Sequence, residues 1–130
     1  MIGYVTVGAD DIPRAKRFYS SFMPALGYRL REGPEGLSYA LPDRPGQPAV
    51  FPDFHVKPPL DGRPASVGNG AMIAFQLRSQ QEVRNLHSAA LAAGGQDEAA
   101  GARSEGVHLN HGAVRREDHP RPLGRARQGV

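Results

Sequence analysis

Cysteine is missing from all 130 residues. Disulfides, thiolate zinc centres and cysteine nucleophiles are therefore excluded, and any metal chemistry falls to histidines and carboxylates. A cysteine-free chain fits a reducing compartment, so the expected address is the cytoplasm. The opening Met1-Ile2-Gly3-Tyr4-Val5 has no basic segment followed by an apolar stretch, and no run approaches the roughly 20 apolar residues of a membrane span. The formal charge is +3, yet no Lys/Arg cluster is interleaved with aromatics on one element, so neither nucleic acid nor membrane is an expected partner. The final stretch, 96–130, contains no Ile, Phe, Tyr, Trp or Met.

What remains is ordinary for a folded protein: 39% hydrophobic and 22% charged residues, enough for one core. Ile2 to Val7 alternates like a strand, Asp10-Asp11 offers a helix N-cap, and Pro13 sits in the first turn, where a missing N–H is tolerated. Ala15, Phe18, Tyr19 and Phe22 then form one apolar stripe at helical spacing, closed by Pro24 and Gly27. Three β-like runs follow, Tyr28–Glu32, Leu37–Leu41 and Ala49–Val56, separated by Gly- and Pro-rich turns. The pattern is βαβββ.

After the Pro-rich stretch 57–64 the order begins again. Ala71–Arg78 reads as a strand, Ser79-x-x-Glu82 as a capping box, and Val83, Leu86, His87, Ala90 and Leu91 as a second stripe ended by Gly94-Gly95. The two units superpose at an offset of 68: Tyr4 on Met72, Asp11 on Ser79, Phe18 on Leu86, Tyr19 on His87. Cap, stripe and stop coincide, which indicates an internal duplication.

Ile2-Gly3-Tyr4-Val5-Thr6-Val7-Gly8 with Asp10–Ala15 and Phe18-Tyr19, and Gly68-Asn69-Gly70-Ala71-Met72-Ile73-Ala74-Phe75 with Ala89–Gly95, resemble the openings of the two modules of the glyoxalase/bleomycin-resistance/extradiol-dioxygenase (vicinal oxygen chelate) superfamily. The resemblance covers about residues 1–95. It implies an α+β fold of paired βαβββ modules in a single glyoxalase-like domain, module one spanning 1–66 and module two 67–130. It further implies a pocket inside the cup formed by the strands, and a homodimer. Metal-dependent relatives place ligands on the first strand of each module and carboxylates on the last strands. Those first-strand positions here are Tyr4 and Met72. A phenol must ionise to bind, and a thioether suits soft metals, so no metal ligand is assigned and no cofactor is expected.

The departure from the family lies in 96–130, which should supply three more strands ending in an apolar one. Only His108–Val114 could pass as a strand, so module two is expected to be incomplete, with 96–130 atypical or disordered. The Arg/Pro/Gly-rich end, 115–130, has the composition of a G+C-rich gene read in a shifted frame.

The expected ligand-binding residues are Tyr4, Tyr39, Phe51, Phe54, Met72 and Phe75, together with His55 as an acid/base or orienting group. Alternation along a strand turns about half of such positions toward the helices as plain core. His87 is read as a core-edge histidine, His108, His111 and His119 as tail residues, and Gly68-x-Gly70 as a turn between modules, because it precedes a strand and not a helix. Two functions stand: a metal-independent binder of a small, partly apolar molecule, and a divalent-metal-dependent lyase, isomerase or dioxygenase using other ligands such as Asp53 and His55.

Overall fold

A computed structural model describes residues 1–47, 49–66, 71–97, 106–110 and 113–117. Strand β1 (Tyr4–Gly8) leads into helix α1 (Ile12–Ser20), a 3₁₀ turn (Pro24–Leu26) and strands β2 (Arg29–Gly33), β3 (Gly36–Ala40) and β4 (Asp53–Lys57). The second unit comprises β5 (Ile73–Gln76), α2 (Gln80–Ala92), β6 (Gln96–Asp97), β7 (Gly106–Asn110) and β8 (Ala113–Glu117). The βαβββ order thus occurs twice.

Both helices start as their sequences dictate. The Asp11 carboxylate accepts a hydrogen bond from the Arg14 backbone N–H at 3.0 Å, satisfying a donor that the first turn leaves open, and Pro13 needs no partner there. At α2 the Ser79 hydroxyl accepts from Glu82 N at 3.1 Å, while the Glu82 carboxylate accepts from Arg78 N at 2.9 Å, one residue before the usual capping-box partner.

In the first sheet the order is β1-β4-β3-β2, with β1 parallel to β4 and the other pairs antiparallel. The second sheet has the order β5-β7-β8-β6, in which β5 pairs antiparallel with β7 and β6 runs parallel to β8. The duplication therefore extends to element order but not to strand neighbours.

Two expectations are corrected. Module two does not stop short of its strands: where one strand over His108–Val114 was expected, β7 and β8 form a five-pair antiparallel ladder, and β7 pairs with β5. Backbone pairing supplies what the apolar content of this stretch does not signal. In module one, the run expected from Ala49 begins only at Asp53, because Pro52 cannot donate to a ladder. His111, His119 and Gly68-x-Gly70, and most of the stretch proposed as frame-shifted, lie outside the described residues.

One apolar cluster joins the units. Ala15, Phe18, Tyr19, Phe22 and Met23 pack on Leu37, Tyr39, Phe54 and Val56, and Val83, Leu86 and Ala90 of α2 belong to the same cluster. Phe75 of β5 bridges it, with its ring 6.2 Å from Phe22 and 5.7 Å from Phe54. Among the described residues, no helix is long and apolar enough to cross a membrane.

Candidate functional site

Strand alternation divides the first sheet into two faces. Val5, Phe54, Tyr39 and Leu30 lie opposite one another on the face covered by α1, and Tyr39 and Phe54 are completely or almost completely buried. The opposite face is the cup side, and it carries polar groups. Arg31 lies opposite Ser38, Ser38 opposite His55, and His55 opposite Thr6, forming one row across four strands. Neighbours in such a row have Cβ atoms about 5 Å apart. Flanking rows add Tyr4 opposite Asp53 and Lys57 opposite Gly8.

His55 is the centre of this face. Its imidazole stacks on the Tyr4 ring, with centroids 4.9 Å apart and planes within 7°. Its Nε2 lies 4.0 Å from Asp53 Oδ2. Tyr4 is 62% exposed, so the stack faces solvent and not the core. Beside it, the β2–β3 hairpin and β4 enclose a depression of about 320 Å³, lined by Arg31, Ser38, His55 and Lys57 together with Glu32 and Glu35. That volume is at the lower end of small-molecule sites.

The sequence-expected residues divide accordingly. Tyr4 and His55 come together on the cup face. Phe51 and Met72 are exposed at 45% and 57% and lie just before β4 and β5. Tyr39, Phe54 and Phe75 belong to the shared core, where Tyr39 also exchanges a 2.8 Å hydrogen bond with Ser20 of α1. His87 is buried on α2, as its place in the stripe implied. Burial sets the one numerically large pKa shift away from the cup: the Tyr19 phenol is pushed up to about 12, first by desolvation and then by the neighbouring Tyr39.

No family model and no curated protein matches the chain. A solved structure does: a glyoxalase/bleomycin resistance protein from Albidiferax ferrireducens T118 is 26% identical over 92% of this chain and 99% of that one, with a TM-score of 0.70. The chain has the glyoxalase/bleomycin-resistance fold. The likeness supports its place in the vicinal oxygen chelate superfamily.

Metal-dependent members of this superfamily would hold a divalent ion in the cup, and the described side chains do not fit one. The two first-strand positions carry a phenol engaged in a ring stack and a thioether. Asp53 and His55 are two donors on one strand, whereas a hard cation requires several converging ligands. Among the described residues, no group of three or more His, Asp or Glu side chains is placed to hold a metal.

Sequence reasoning missed Arg31, Ser38 and Lys57. In this glyoxalase/bleomycin-resistance fold the polar side of a half-buried strand faces the cup, yet in sequence it reads as ordinary solvent face. The one available signal was period: Arg31, Ser38 and Lys57 fall on the same face as His55 once strand register is known.

Proposed function

We propose that this protein binds a small, partly apolar molecule in its cup without a resident metal. The observation that carries the reading is the exposed Tyr4–His55 stack beside a polar depression. A flat aromatic surface next to a few convergent hydrogen-bonding groups is the usual composition of a small-molecule site. Exposed Phe51 and Met72 extend the apolar contact, whereas Tyr39, Phe54 and Phe75 are committed to the core and act only by supporting the strands. The name of the Albidiferax protein joins glyoxalase with bleomycin resistance, and the donor set here supports the binding half of that pair.

A homodimer forms part of the proposal, supported by the large apolar side chains of Ile2, Tyr4, Phe51 and Met72 left at the surface. Light scattering on purified protein should give twice the chain mass; a monomer at micromolar concentration counts against this part alone.

The second reading is a metal-dependent lyase, isomerase or dioxygenase, favoured only by the Asp53–His55 pair. Calorimetric titration of chelator-treated protein with bleomycin and with the neutral aromatic 1-naphthol separates the two. The binder should take up at least 1-naphthol without metal, and Tyr4→Ala should weaken that binding about five- to tenfold through the lost stacking. Uptake that appears only after adding Mn, Ni, Fe or Zn, and disappears on chelation, would establish the second reading instead.

A further inference from the structure

Charge on the cup face is unevenly distributed. Arg31 and Lys57 line the depression, with the Ser38 hydroxyl and His55 imidazole between them. Two carboxylates could neutralise these cations. Glu32 also lines the depression, but its carboxylate is held by Lys16 of α1 at 2.7 Å. Glu35 stands 3.9 Å from Lys57 but is 84% exposed, so water screens that pair and Glu35 is free to swing away. Arg31 makes no ion pair or side-chain hydrogen bond with another described residue. An unpaired guanidinium beside a hydroxyl and an ammonium, around a cavity sized for a small group, is complementary to an oxyanion.

The backbone keeps the depression open. Gly33 and Gly36 pair across the hairpin, so no side chain fills its closed end. A Cβ on Gly33 would meet nothing within 4 Å, which makes this position a place to block the cavity without a clash.

We propose that this depression is an anion subsite, taking the carboxylate or phosphate group of a ligand whose aromatic ring lies against the Tyr4–His55 pair. The proposal rests on the binder reading above and deepens it: the ligand is an aromatic acid and not merely an apolar molecule. Arg31 and Ser38 donate hydrogen bonds to the oxyanion, Lys57 supplies a second charge, and His55 belongs to both halves of the site because it stacks on Tyr4 and lines the cavity.

The test titrates the full-length, chelator-treated protein with 1-naphthoate, 1-naphthyl phosphate and neutral 1-naphthol. At least one anion should bind about tenfold more tightly than 1-naphthol, the size of effect one charge-assisted hydrogen bond gives, and its affinity should fall as salt rises. Which anion gains more identifies the group. Arg31→Gln and Lys57→Gln should each remove most of that gain, lowering anion affinity far more than 1-naphthol affinity. Gly33→Leu should abolish the gain by occlusion. If 1-naphthol binds through Tyr4 but neither anion gains, or the gain survives both charge substitutions, the subsite is wrong and the binder reading stands. If none of the three binds, both fall.

Discussion

Gly36 illustrates how a single residue can hold the cup together. Its φ of 143° is one that side chains rarely adopt, and a Cβ there would overlap the Val56 carbonyl oxygen and press within 3.0 Å of Lys57 Cα. Gly36→Ala should therefore lower stability by at least about 2 kcal/mol, through backbone strain and overpacking together. Gly33→Ala, with open space around it, should stay within about 0.5 kcal/mol. Urea midpoints at constant slope would compare them, and equal losses would remove the argument from Gly36. The buried phenols give a second residue-scale expectation. Burial raises Tyr19 to about 12 and also raises Tyr39 and Tyr28, so above the ordinary value of 10.0 the unfolded chain loses these protons before the folded one does. With fewer protons bound in the unfolded state, stability falls as pH rises. These groups' contribution should be complete below pH 10 and diminish as pH climbs toward about 12, and Tyr19→Phe should flatten that decline in urea midpoints measured from pH 8 to 11.5. Such residues were only half legible beforehand. Tyr4 and His55 stood out as strand aromatics, but period two does not reveal which face is covered, so Tyr39 and Phe54 looked equally eligible until α1 was seen to pack on them.

Helices carried their own signals and the strands did not. Ala15, Phe18, Tyr19 and Phe22 are all buried, as are Val83, Leu86, His87 and Ala90, because a 3.6-residue period fixes a single face whatever lies opposite. Both caps fell where Asp11 and Ser79 indicated, since capping is local chemistry. Strands depend on partners distant in sequence. Over Gly106–Asn110 and Ala113–Glu117 the sequence offered only one weak run, His108–Val114, yet two strands form a ladder there, and the exchange of neighbours relative to the first sheet is invisible to a repeat search. At this scale Asp11→Ala should lower stability by about 1 kcal/mol, and Ser79→Ala by a similar amount unless Glu82 compensates. The Glu82 contact with Arg78 N provides the check: Ser79→Ala and Glu82→Ala combined should lose more than the sum of the two singles if the carboxylate takes over as cap, and an additive pair would show that each bond acts alone.

Across the whole molecule, the two repeats fold around one interior. Val83, Leu86 and Ala90 of α2 join the cluster built by α1 and the first sheet, and Phe75 brings a strand of the second unit against Phe22 and Phe54 of the first. The first unit supplies most of this cluster and α2 caps it, so the cup face is held in shape by packing on its far side. This explains why three residues first expected at a ligand are found beneath it: Tyr39, Phe54 and Phe75 position the strands that carry Ser38 and His55. Phe54→Ala should cost about 3–5 kcal/mol and Phe75→Ala, being only partly buried, toward the lower end of that range. Because their rings are 5.7 Å apart, the double variant should deviate from additivity by about 0.5–1.5 kcal/mol, the coupling of an aromatic pair. Unfolding followed by tyrosine fluorescence, reporting the first unit, and by far-UV circular dichroism, reporting both, should give coincident transitions. Separate transitions, or strictly additive losses at Phe54 and Phe75, would mean that the repeats are independent and that the second unit does not support the cup.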